Sequence, residues 1–96
     1  MKTEIPCRTS AIDLESACVG NVLLINGSMR RLIVGVSEGV VSMVGRMNTN
    51  PETPLIYLEG RIKNYEGPEN PLKSYGINPE TEEFKKYTRD LLEAGL

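Results

Sequence analysis

Arg31-Leu32-Ile33-Val34-Gly35-Val36-Ser37-Glu38-Gly39-Val40-Val41-Ser42-Met43-Val44-Gly45-Arg46 is the stretch that decides the fold. Two runs rich in β-branched residues flank Glu38-Gly39, a turn pair that suits a tight reversal. The reading is a β-hairpin, and its register can be tested on paper. A two-residue turn pairs Val36 with Val41, Val34 with Met43 and Leu32 with Gly45, which makes one face wholly apolar. A three-residue turn pairs Val36 with Val40, Val34 with Ser42 and Arg30 with Arg46. A slip by one residue moves every side chain to the other face, and the first register separates polar from apolar better, so it is the expected one. In either register Arg46 lies across from an arginine, Arg31 or Arg30.

Working outward, Val22-Leu23-Leu24-Ile25 precedes the hairpin and is joined to it through Asn26-Gly27, among the strongest short hairpin signals. Downstream, Leu55-Ile56-Tyr57-Leu58 follows a loop over 47–54, and Gly60 can kink the strand before Arg61-Ile62-Lys63-Asn64-Tyr65 continues it. These runs make 19–65 an antiparallel meander. Before it, 1–18 is a lead-in, with a short helical turn expected over 11–17 after Ser10. After it, 66–78 holds too many breakers for a regular element and reads as an irregular connector that wraps the meander through Leu72, Tyr75 and Ile77. The segment 79–94 reads as a helix: Asn78 as cap, Pro79 at the first position, and Glu80, Glu82 and Glu83 in the first turns. Phe84, Tyr87 and Leu91 form its apolar stripe, to be packed on the sheet or used as an oligomer seam.

In its alternation of short strands and tight turns, 19–65 resembles a small Src-homology-type barrel, with an oligonucleotide-binding-type barrel as the alternative. The expected fold is a single domain, mainly β with a C-terminal α-helix. Its core would be a small antiparallel barrel or half-barrel of about five strands. Such barrels host unrelated activities, so the likeness carries little functional weight.

Composition removes several chemistries. The 96 residues carry 11 basic and 13 acidic side chains, a formal charge of −2, which argues against a generic nucleic-acid binder. No histidine is present, so the commonest general base and neutral metal ligand are missing. No phosphate-cradling loop, dinucleotide fingerprint or calcium-loop spacing occurs. No cofactor and no metal site is expected. Cys7 and Cys18 are spaced for neither a redox pair nor a zinc knuckle, and are read as buried or half-buried thiols in a reducing cytosol. Lys2, Glu4 and Pro6 interrupt the start where a signal peptide would need an apolar run, and runs such as Val22–Ile25 are too short to span a bilayer. The chain is therefore expected to be cytoplasmic and off the membrane.

One feature suggests a site. The stretch 16–65 carries five basic and three acidic residues, whereas 79–96 carries three basic and five acidic, +2 against −2. Arg31, Arg46 and Arg61 on adjacent strands form a candidate anion site, with Tyr57 or Tyr65 to stack a nucleobase while the guanidiniums hold its phosphate. Within the fold, Glu38, Glu59 or the acidic helix could instead neutralise them.

The leading functional expectation is a non-enzymatic binding or inhibitor module acting on a protein partner. A chain this short buries modest apolar area alone, so self-association into a homo-oligomer is expected with it. Small, histidine-free, mildly acidic proteins of this kind are frequent among bacteriophage and accessory bacterial genes. The alternatives are a binder of a small anionic ligand such as a nucleotide, and, third, a small enzyme using Glu59 or Cys7.

Overall fold

The computed structural model describes residues 4–7, 12–27, 29–46, 54–65 and 72–96. They form one mixed sheet of six strands and one helix. The strands are β1 (Glu4–Cys7), β2 (Val22–Ile25), β3 (Met29–Ser37), β4 (Val40–Arg46), β5 (Leu55–Arg61) and β6 (Ser74–Ile77), followed by α1 (Glu82–Glu93). They lie side by side in chain order; β1 and β2 run parallel and every later pair is antiparallel. Among the described residues the sheet is open, with β1 and β6 at its edges; of the barrel or half-barrel of about five antiparallel strands expected, the mainly β fold with a C-terminal helix is present, with six strands, one parallel pair and no closure into a barrel.

Turn chemistry explains the hairpins. Glu38 and Gly39 sit at φ 50° and 80°, and Ser37 pairs with Val40 across them, a two-residue turn whose twist matches that of the strands. Asn26 and Gly27 take the same left-handed conformation at φ 53° and 80° between β2 and β3.

The central hairpin uses both registers weighed from the sequence. Near the turn, Val36 pairs with Val41 and Gly35 with Ser42; beyond the irregularity at Val34, Ile33 pairs with Met43 and Leu32 with Val44. Val34 is the extra residue of a β-bulge, which shifts the phase by one. The physical reason lies in the other layers. Both faces of this sheet are covered, so the distal half needs an apolar residue on each side rather than one apolar face. Ile33 and Met43 enter a core with Ile12, Ala17, Leu23, Ile25, Val41 and Ile62. Leu32 and Val44 enter the other, with Val22, Leu55, Ile77, Leu91 and Ala94.

Each core has its own cover. On the first face the segment from Ile12 to Asn21 lies over the sheet, contributing Ile12 and Ala17. It contains a hydrogen-bonded turn at 14–16, inside the span 11–17 read from the sequence as a short helical turn, and does not continue as a helix. Ser16 N–H donates to Asp13 O and Ala17 N–H to Leu14 O, while Gly20 N–H donates to Ile33 O and Ile33 N–H to Asn21 O, tying the segment to β3. Ile12 bridges Ile62 in parallel. Cys18 in this segment is exposed, which corrects the expectation of a buried or half-buried thiol; the Cys7 side chain lies outside the described residues.

On the second face lies α1. Leu91 and Ala94 are buried, and Phe84 and Tyr87 pack beside them. Burying a leucine side chain stabilises by about 1.5–3 kcal/mol, so this stripe anchors the helix. The helix starts later than expected: Thr81, not Asn78, is the N-cap, and its Oγ1 accepts from Phe84 N–H at 3.2 Å. Asn78 Oδ1 accepts from Glu80 N–H instead, making a turn that carries Pro79 ahead of the helix. No basic residue occupies the last turn. Arg46 from β4 supplies a cation there, donating from Nε to Leu96 O at 3.4 Å, where the helix end is partially negative.

The connector is also corrected. Its residues Ser74–Ile77 form β6, pairing Tyr57 with Tyr75 and Leu55 with Ile77. Part of the loop expected over 66–78 is thus an edge strand, while 66–71 lies outside the described residues.

Candidate functional site: a tyrosine and carboxylate cluster at the sheet edge

The sequence-derived candidates do not converge. Successive residues of a strand point to opposite faces. Arg31 is paired across from Leu23, on the face of the first core, and lies over Gly45: a methyl group at Gly45 would come within 2.5 Å of Arg31 Nη1. Arg46 reaches the opposite face, where the helix ends. Arg61 pairs with Val40 and Arg46 with Leu55, at opposite ends of β4, about 20 Å apart along the strand. Tyr65 stands at the Arg61 end, its ring against Gly39 in the turn.

The two inner arginines are spent on the fold. Arg31 is 6% exposed; Nη1 donates to Arg30 O at 2.9 Å, Nη2 to Met29 Sδ at 3.6 Å, and Nε has no partner. Burial pushes its guanidinium below the usual value. Arg46 Nη1 is likewise buried without a partner. Neither presents the open fork that a phosphate or carboxylate requires.

A different cluster is built on the helix-covered face. Tyr57 on β5 and Tyr75 on β6 are cross-strand partners whose rings stack at 4.8 Å between centroids and 25° between planes. The Tyr57 hydroxyl donates to Glu59 Oε2 at 2.8 Å and is hydrogen-bonded to Ser42 Oγ at 3.0 Å. Glu59 Oε1 accepts from the Lys73 backbone N–H at 2.9 Å, fixing the approach to β6. The Tyr75 hydroxyl donates to Glu83 Oε1 on α1 at 3.0 Å. Tyr87 packs alongside, with Lys86 Nζ 5.5 Å from its ring centroid.

The electrostatics of this cluster are acidic. Burial pushes the Tyr57 phenol up, the Ser42 bond pulls it down, and Glu59 adds to the rise. Desolvation, then the bond to Glu83, pushes Tyr75 up to about 12. Tyr87 is raised by burial and by Glu83 and Asp90. These phenols therefore stay protonated across the physiological range and act as donors and apolar plates. Tyr57, named from the sequence as a base-stacking residue, has one face on Tyr75 and its hydroxyl engaged by Glu59, in surroundings that disfavour a phosphate.

Tyr75, Ser42, Glu59 and Glu83 were missed as a group. The signal for Tyr57 and Glu59 was present, since residues two apart on a strand share a face. Tyr75 could not join them while its segment read as a loop. Among the described residues no group of histidine, cysteine and carboxylate side chains is placed to hold a metal ion, and no helix is long and apolar enough to cross a membrane. Comparison of the chain with protein-family models, with curated proteins and with solved structures finds no match.

Proposed function

We propose that this chain is a non-enzymatic binding module that engages a protein partner through the β6 edge. The carrying observation is Tyr75. Its ring is held on one side by Tyr57 and at its tip by Glu83, yet the residue remains 44% exposed. A rigid aromatic plate with few rotamers left to lose is the kind of group that dominates protein interfaces. Leu72, also exposed, precedes it and adds apolar area. The reading of an anionic-ligand site on Arg31, Arg46 and Arg61 finds no support in their placement on two faces and at two ends. The likeness to a Src-homology-type barrel rests on strand and turn pattern alone and adds nothing to the choice of partner.

The test is site-specific photocrosslinking in the producing cell. A benzophenone side chain at position 75 is expected to give a discrete crosslinked protein species that the same probe at Lys63, on an exposed turn, does not. Identical patterns at both positions, or none at 75, would remove the assignment.

A further inference from the structure

The two edges of the sheet differ. β1 carries Pro6, which has no N–H to offer a neighbouring strand. β6 reads Ser74-Tyr75-Gly76-Ile77 and contains no proline, lysine or bulge, and among the described residues no strand pairs with its outer side. Ser74, Tyr75 and Gly76 are all exposed.

Hydrogen-bond phase says what this edge offers. Glu59 N–H donates to Lys73 O at 2.9 Å, so the pair Glu59 and Lys73 is of the hydrogen-bonded kind. Because such pairs alternate, Tyr57 with Tyr75 and Leu55 with Ile77 are of that kind too. On the β4 side, Ile62 N–H donates to Gly39 O, which turns the even-numbered residues of β5 toward β4 and the odd-numbered ones toward β6, in agreement. The backbone groups of Ser74 and Gly76 consequently point outward, away from β5.

From this geometry we infer that β6 pairs with β6 of a second copy of this chain, antiparallel about a two-fold axis through Tyr75. The edge is self-complementary in that register. Ser74 of each copy faces Gly76 of the other, and their outward N–H and C=O groups satisfy one another. Tyr75 then faces its own symmetry mate at a non-hydrogen-bonded position, where cross-strand side chains are closest. The 4.8 Å between the Tyr57 and Tyr75 rings equals the spacing between neighbouring strands, so the added strand extends the stack from two rings to four. Opposing this, the two Glu83 carboxylates approach each other; salt screens that repulsion. Four residues per copy make a small interface, hence a weak dimer.

This inference rests on the assignment of β6 as the contact edge and names its occupant. Analytical ultracentrifugation from micromolar to millimolar protein is expected to show a rise toward twice the monomer mass, strengthened by salt. Gly76→Pro removes an outward N–H without touching a β5–β6 bond, and a Cβ added there has Leu55 O at 3.9 Å, an ordinary contact. It is expected to abolish dimerisation while circular dichroism stays unchanged. Tyr75→Cys, in a background with Cys7→Ser and Cys18→Ser, is expected to oxidise to a disulfide-linked dimer, whereas Lys63→Cys in the same background is not. A chain that is monomeric throughout, or dimeric with Gly76→Pro unaffected, overturns the proposal. If a monomeric chain still crosslinks a heterologous protein at position 75, only the self-pairing falls; if that is lost as well, the binding edge falls with it.

Discussion

Gly45 shows how a single position can be fixed by a neighbour rather than by its own backbone. Its conformation is that of an ordinary strand, yet a methyl group there would meet Arg30 O and Arg31 Cδ at 2.7 Å. The arginine stem can swing, but the carbonyl belongs to the β3 ladder and cannot. Gly45→Ala is therefore expected to destabilise the protein by about 1–3 kcal/mol, read as a lowered urea midpoint. The tyrosines make a second residue-scale prediction. Tyr57, Tyr75 and Tyr87 keep their protons above the ordinary phenol range, Tyr75 to about 12. Above about pH 10 the unfolded chain releases protons that the native state still binds, so stability is full below that pH and falls between about 10 and 12. Urea midpoints measured across that window are expected to decline, and Tyr75→Phe is expected to flatten the decline.

At the scale of the element, α1 begins at a threonine and not at the asparagine three residues earlier. Thr81→Ala is expected to lower stability by about 1 kcal/mol and Asn78→Ala by less, compared by thermal or urea unfolding. The expectation failed at this helix start because Asn78 and Pro79 satisfy the same residue preferences in a turn that they satisfy in a cap; only the Thr81 bond to Phe84 N–H distinguishes them. The strands were legible where turn chemistry and β-branched runs agreed, as at Asn26-Gly27 and Glu38-Gly39. β6 was not, because Gly76 and the prolines upstream outweighed a four-residue pattern whose stability comes from β5 and from the Tyr57 ring. The bulge at Val34 was equally hidden: each register alone was sound, and only the presence of a second apolar layer makes the chain use both. The candidate site suffered most from these two gaps. Without the bulge, the pattern pairs Arg31 with Arg46, and without β6 it leaves the Tyr57 ring open.

For the whole molecule, the sheet is a shared wall between two apolar layers, one under the segment from Ile12 to Asn21 and one under α1. Alternate residues of the same strands serve both layers, so neither can be lost while the other keeps its shape, and unfolding is expected to be a single transition. The tyrosine cluster supplies the means to see this. The chain has four tyrosines and no tryptophan, and two of the four are stacked with their hydroxyls donating to carboxylates. Carboxylate acceptors quench phenol fluorescence, so the folded protein is expected to be dim near 300 nm and to brighten as it denatures. The change in emission is dominated by the two quenched rings on the helical side, with Tyr65 at the β3–β4 turn as a background, and far-ultraviolet dichroism reports strands and helix together; coincident midpoints would make this protein a label-free optical reporter of its own integrity.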